Sequence, residues 1–336
     1  MSCSFKVLDS KDLEGVVPPN QQFALDVLIG LSEKPKRLSS MYFYDDVGSV
    51  LFQQIMALPE YYLTNCEFEI LKTHSSSIVD LIGEGESFNL IELGAGDGTK
   101  TSLLIEQFLK REMSFQYIPI DISQSAMQIL MKNLAQQFKK LTANGLVAEY
   151  FDGLRWISQI NTRRNLVLIL GSNLGNFNQA KTRVFLRSLW NVLKDGDLVV
   201  IGFDLKKDID VMLKAYNDSR GITAQFNLNL LNRINNELGG QFNLDTFRFY
   251  ANYNVFSGAI ESFLVSLTDQ TVFVAQIGES FHFDAWEPIH TEYSYKFLKS
   301  DIEKLAANTG YRIEKQLFDS KHYFTDSIWS VEKKQG

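Results

Sequence analysis

The sequence predicts an α/β protein, a parallel sheet covered by helices on both faces, with a second, smaller unit inserted into it. Three observations carry this. Between about residues 68 and 205, short apolar runs alternate with helical periodicities, the pattern of repeated strand–helix units. The apolar runs are continuous rather than alternating, as in strands buried on both faces. From about residue 206 to 295 the rhythm breaks into a polar, asparagine-rich stretch and then strand-like segments.

Taken in order, the first 65 or so residues read as mostly helical and group with the insert. Phe88–Leu93 (FNLIEL) is an apolar run ending in glycines, hence the first strand, and Thr99–Lys110 a helix. Tyr117–Ile122 is the second strand, although Pro119 has no N–H for a ladder and is read as a strand end or bulge. Ser123 is the expected N-cap of a helix on which Met127, Leu130, Leu134 and Phe138 recur at helical spacing. Leu146–Phe151 and Asn165–Leu170 are the third and fourth strands; Val184–Leu193 is a helix stopped by Asp195-Gly196, and Leu198–Phe203 the fifth strand. Glu261–Val274 is strand-like. A helix at Asp301–Thr309 and a hairpin of Tyr311–Phe318 with Tyr323–Val331 then close the sheet with antiparallel strands. The expected domains are 68–205 with 296–334, and 1–67 with 206–295.

At ~150 residues per domain, 336 residues suit two domains. With 45% apolar and 22% charged residues, disorder is excluded as the main state. The net charge of −7 lacks the basic excess of a polyanion binder, so no nucleic-acid partner is expected. Two cysteines, Cys3 and Cys66, build no disulfide framework and point to a reducing compartment. The start lacks a signal-peptide run and no apolar stretch is long enough to span a bilayer. The expectation is a cytoplasmic monomer with a small-molecule substrate and no membrane partner. His74, His282, His290 and His322 show no helical metal spacing and there is no CxxC, so no metal site is expected. The close pair His290 and Glu292 reads as strand packing.

The densest chemical signal is Ile91-Glu92-Leu93-Gly94-Ala95-Gly96-Asp97-Gly98-Thr99-Lys100, a strand running through a glycine loop into a helix. Glycines let backbone approach a ligand, and the helix start offers free N–H groups. The spacing is G-x-G-x-G rather than G-x-G-x-x-G, with Glu92 before the loop and Asp97 inside it. Acidic groups crowd a pyrophosphate but suit a positively charged cofactor, which favours S-adenosylmethionine. Asp121 closes the second strand, where a carboxylate accepts both ribose hydroxyls, and Asp152-Gly153 follows the third, where it would meet the adenine amino group. Each of these acids also reads as a plain cap or turn. The fourth strand ends in Gly171-Ser172-Asn173-Leu174-Gly175-Asn176, which is no nucleophile elbow but carries asparagines suited to substrate contact.

These residues resemble the histidine-specific, S-adenosylmethionine-dependent Nα-methyltransferases that form hercynine on the ergothioneine route. The resemblance runs through Tyr42–Leu51 (YFYDDVGSVL), Leu58–Tyr62 (LPEYY), Glu92–Thr101, Ile118–Ser123, Leu170–Asn176, Ala215–Asp218 with Gly221–Thr223, and Thr291–Phe297 (TEYSYKF). It implies a class I methyltransferase (Rossmann-like) sheet with an inserted substrate-binding domain. It implies that Gly94, Gly96, Lys100, Asp121, Asp152 and Gly153 contact the cofactor. Asn176 and Tyr216 would hold the carboxylate and amine of the amino acid. Tyr62, or Tyr61 in a shifted register, would lie beside the reacting amine, and Glu292 and Ser294 would bind the imidazole. Tyr62 and Tyr216 are then the catalytic candidates, for in-line attack of a neutral α-amine on the sulfonium methyl. Asn173 stands where the family has Thr, Ser262 where it has Met, and Leu63 and Asn65 where it has Pro and Arg. A sister branch methylates a prenylated tryptophan. From residues alone, a nicotinamide oxidoreductase and a catalytically silent binding protein of this fold also stay open.

Overall fold

The computed structural model describes residues 3–9, 11–12, 17–83, 87–160 and 163–333. The chain divides into two units. One comprises Met1–Val16, Leu63–Lys206 and Lys296–Gly336, the other Val17–Tyr62 and Lys207–Tyr295. Residues 1–2, 10, 13–16, 84–86, 161–162 and 334 of the expected domain spans lie outside the described residues.

Strands of the first unit are Cys3–Val7 (β1), Phe88–Leu93 (β2), Phe115–Asp121 (β3), Ala143–Val147 (β4), Arg164–Ile169 (β5) and Leu198–Asp204 (β6). The second unit holds Phe247–Asn254 (β7), Ala259–Ser266 (β8), Gln270–Val274 (β9), Glu279–Phe283 (β10) and Pro288–Tyr295 (β11). Tyr311–Phe318 (β12) and Phe324–Val331 (β13) return to the first. The helices are Pro19–Ser32 (α1), Asp46–Met56 (α2), Tyr62–Ile82 (α3), Thr99–Lys110 (α4), Gln124–Gln137 (α5), Tyr150–Ile160 (α6), Gln179–Val192 (α7), Ile209–Lys214 (α8), Ile222–Leu238 (α9) and Lys299–Thr309 (α10).

The first unit is an eight-stranded sheet in the order β1-β4-β3-β2-β5-β6-β13-β12. Its first six strands run parallel, and the terminal hairpin adds β13 and β12 antiparallel. This is the expected Rossmann-like sheet. Every residue of β2, β6 and β13 is buried, which is why β2 and β6 read as largely apolar runs, while β13 also buries Thr325, Asp326, Ser327 and Ser330. The connections β2-α4-β3-α5-β4 step one way along the sheet and β4-α6-β5-α7-β6 the other. Right-handed crossovers therefore put α4 and α5 on one face and α6 and α7 on the other, and α6 packs on α7 and α7 on α10. The direction reverses beside β2, between β3 and β5, and ligands of open α/β sheets bind at the carboxyl ends of strands at such a reversal.

Three sequence expectations need correction. The first 65 residues are, where described, mostly helical as expected, but they do not all group with the insert: β1 pairs with β4 at the sheet edge and belongs with the first unit. Its five residues carry no long apolar run, since an edge strand is half exposed. The third strand is Ala143–Val147 rather than Leu146–Phe151, because Glu149 accepts from the Phe151 N–H at 2.7 Å and starts α6 at Tyr150. Pro119 does lie inside a central strand. The β3–β4 ladder pairs Tyr117 with Ala143 and next Ile120 with Leu146, so the missing N–H falls in a gap.

In the second unit a three-stranded antiparallel sheet, ordered β11-β8-β7, accompanies the hairpin β9–β10. The asparagine-rich run is α9, whose Phe226, Leu230, Leu231, Ile234 and Leu238 are buried at helical spacing, while Asn229 donates to Asp45 and Asn235 to the Phe242 carbonyl. Asp218 starts this helix by accepting from the N–H groups of Arg220, Ile222 and Thr223 at 2.8–3.0 Å. No described helix is long and apolar enough to cross a membrane.

Candidate active site

At the carboxyl end of β2 the loop glycines Gly94, Gly96 and Gly98 adopt φ of +78°, +53° and +70°, values that side chains other than glycine rarely take. Gly94 has a second reason to be glycine: a Cβ there would meet the Tyr150 hydroxyl at 2.5 Å and Asn173 Nδ2 at 2.6 Å. The ends of β2, β4 and β5 therefore converge on one spot. Asp121 closes the same spot from β3. Its Oδ2 accepts the Gly96 N–H at 3.0 Å and its Oδ1 the Ser123 N–H at 2.9 Å, so it braces the glycine loop while keeping lone pairs for a ligand. Burial pushes its carboxyl above the ordinary range, against those backbone bonds, which pull it down.

Glu92 does not belong to the loop's acidic face. It is 3% exposed and its carboxyl accepts from Thr101 Oγ1 and the Tyr117 hydroxyl inside the core. Burial lifts it to about 7. Asp97 is exposed and accepts the Thr99 N–H at 3.0 Å, a local helix-start bond. The acids that remain at the strand ends are Asp121 and one that the sequence reading missed, Glu149.

Asp152 and Gly153 lie not at a strand end but in the first turn of α6. Asp152 pairs with Arg155 at 3.2 Å, and Gly153 lets α6 approach Ile120, whose Cγ2 would be 2.9 Å from a Cβ. Two residues past the end of β4 stands Glu149, half-buried, its carboxyl raised by burial. The run LVAEYF hid this boundary, since its apolar pattern continues from strand into helix.

Lys100, in the first turn of α4, bonds to the Glu67 carboxylate. The loop after β5 turns at Gly171 and at Ser172, which has φ +58°, into a short 3-10 turn over Asn173–Asn176. Asn173 borders the glycine loop, and Asn176 ends the turn half-buried.

The other sequence candidates lie in the second unit. Tyr216 is 8% exposed, and its hydroxyl is 2.6 Å from Ser294 Oγ. The Tyr61 ring stands edge-on to Tyr216, centroids 6.1 Å apart. On β11 a register shift between His290 and Glu292 turns Thr291 inward, to Asn227 Oδ1 and the Ser262 carbonyl. Past that irregularity Glu292 stands directly opposite Ser262 on β8, and Ser294 follows on the same face. Tyr62 is half-buried, and Lys207 Nζ donates to its hydroxyl at 2.8 Å with the ammonium 4.2 Å from the ring centroid. Sequence reading missed Lys207, which stands at a polar element boundary without a motif around it.

His290 packs between Tyr293 and Phe263, ring centroids 4.0 and 5.2 Å away. Burial, with the Arg37 charge, lowers its pKa to about 4. Asp269, His282 and Asp284 gather on the β9–β10 hairpin, all exposed; His282 Nε2 is 3.1 Å from Asp284.

A family model described as histidine-specific methyltransferase, SAM-dependent, matches residues 23–331 of this chain. The histidine N-alpha-methyltransferase of Mycolicibacterium smegmatis is 35% identical over 301 residues, covering 90% of each chain. Ergothioneine biosynthesis protein 1 of Neurospora crassa is 32% identical over 82% of this chain and 31% of its own length. A 4-dimethylallyltryptophan N-methyltransferase of Claviceps purpurea is 30% identical, over 49% of this chain and 48% of its own. The acidic strand ends and the glycine loop fit a cationic nucleoside cofactor, and the nicotinamide alternative falls away. The chain belongs to the histidine-specific, S-adenosylmethionine-dependent methyltransferase family.

Proposed function

We propose that the enzyme methylates the α-amine of free L-histidine, three times in succession, to give hercynine. The observation that carries the reading is the face of β11 in the second unit, where Glu292 faces Ser262 and Ser294 is bonded to Tyr216. A neutral imidazole has one donor and one acceptor nitrogen. Glu292 accepts from the first and Ser294 donates to the second, a pairing that an indole, with a donor alone, does not satisfy. An unmatched polar group in such a site is costly, which is how a hydrogen-bonding pocket rejects the wrong ring.

S-adenosylmethionine, when bound, supplies an electrophilic methyl. In this reading Asp121 holds the ribose hydroxyls, and Glu149, in place of Asp152, accepts from the adenine amino group. Gly94 and Gly96 let the loop backbone come close, and Lys100 lines the same site. Tyr216 and Asn176 hold the amine and carboxylate of the amino acid, and Tyr62 lies beside the amine with its oxygen held by Lys207. Holding two reactants in line replaces a bimolecular encounter and supplies much of the rate. The ring faces of Tyr62 and Tyr216 stabilise the positive charge that grows on nitrogen with each transfer.

Methyl-labelled S-adenosylmethionine, with each free amino acid offered singly, tests the substrate. Label on histidine, with tryptophan unlabelled, is expected. Label on tryptophan or another amine and none on histidine would refute the histidine reading. Cofactor binding without transfer to any amine would favour the silent protein.

A further inference from the structure

Helix α3 buries Leu63, Cys66, Ile70, Leu71, Ile78 and Val79 on one face, and within that face it carries an acid, Glu67. Its side chain is fully buried. An acid at a core position is retained only where it is paired, and Glu67 is paired twice. Its two oxygens accept the Gly171 N–H at 2.8 and 2.9 Å, and Oε2 also meets Lys100 Nζ. Lys100 opens α4 behind the glycine loop and Gly171 opens the loop after β5. Glu67 thus joins the two loops that flank the reversal point of the sheet.

The room for this carboxylate is built in. A Cβ on Gly202 of β6 would collide with Glu67 Oε1 and crowd the Phe324 ring. Gly202 is the register partner of Asp326 on β13, which seats Asp326 beside the same carboxylate. Asp326 is fully buried, and neither of its oxygens has a donor among the described residues.

We propose that Glu67 is the positioning residue of the cofactor site, tying the Lys100 ammonium to the Gly171 amide, with Asp326 beside it as an uncharged partner. The charge count supports this. The groups that face Asp326 are Glu67 from α3 and Lys100 from α4, with Glu92 of β2 next to both. One ammonium does not balance two buried carboxylates, and a carboxylate without donors is the costliest state for Asp326. Protonated, it donates to Glu67 and both acids are satisfied. Burial and the Glu67 charge hold the Asp326 carboxyl well above the ordinary range, in agreement. The Lys100 side chain stays 21% exposed, and its ammonium has three donors, so one serves Glu67 and leaves others to meet an anionic group of the ligand. The inference rests on the reading that Lys100 lines the cofactor site, and not on the identity of the amino-acid substrate.

Calorimetric titration of the full chain with S-adenosylhomocysteine tests it, using Glu67→Gln and Asp326→Asn. Glu67→Gln is expected to raise Kd about tenfold, the scale of one charged hydrogen bond, with unchanged binding stoichiometry. A merely structural role would lower the competent fraction and leave Kd alone. Asp326→Asn keeps the shape of a neutral acid and a donor to Glu67, so its Kd stays within about twofold of the wild type. If Glu67→Gln binds like the wild type, or Asp326→Asn loses about tenfold, the proposal is wrong. The second variant decides even if the first does not fold. No amino-acid substrate is present, so a wrong histidine assignment cannot produce either result.

Discussion

Glu92 shows how one residue misleads and then explains itself. In sequence it adjoins the glycine loop and adds to an acidic impression; in the fold the strand alternation turns it inward to Thr101 and Tyr117. Its folded pKa of about 7 lies above the ordinary glutamate value, so the folded chain binds a proton that the unfolded chain releases. Stability from this group is therefore fully present below about pH 4.5 and is lost as pH rises through 7. The swing is about 3 kcal/mol for a shift of this size. Glu92→Gln preserves both hydrogen bonds without the titration. Urea unfolding at several pH values should show the variant gaining on the wild type from pH 5 to 8, whereas a pH-independent gap would contradict the burial argument. Glu292, Ser294, Tyr216 and Asn176 were singled out only through the family resemblance of the segments that carry them; alone, they read as strand polarity, core packing and turn residues. Glu67 and Lys207 were not singled out, because their partners lie far off in sequence and only the fold identifies them; Glu149 was missed because the end of β4 was misplaced.

The glycine loop is the element proposed to approach the cofactor, and its glycines are not equivalent. Gly94 and Gly96 both have positive φ, but a Cβ on Gly94 strikes Tyr150 and Asn173 while one on Gly96 has nothing within 4 Å. Gly96→Ala should cost about 1 kcal/mol of stability from the left-handed backbone alone. Gly94→Ala should cost about 2 kcal/mol or more and also weaken S-adenosylhomocysteine binding. Thermal unfolding with and without that ligand separates the two effects; equal losses would show that the close approach at Gly94 is unimportant. Strands β2, β5 and β6 were legible because burial on both faces writes a continuous apolar run. The end of β4 was not, since LVAEYF is apolar but for Glu149 across a strand, a turn and a helix start. The change of state there is decided by the Glu149 bond to Phe151.

For the whole molecule, the first unit carries the sheet whose strand order reverses beside β2, and the second carries an antiparallel sheet. The α/β class and the terminal hairpin followed from the alternation of apolar runs. The edge strand β1 did not, because five half-exposed residues carry too little pattern, and their partners on β4 lie 140 residues away in sequence. The most direct measurement of the central claim is the mass and methyl position of the product formed from histidine and excess S-adenosylmethionine at completion. The account predicts histidine carrying three methyl groups, all on the α-nitrogen. Unmodified histidine, or methyl groups on the imidazole ring, would contradict it.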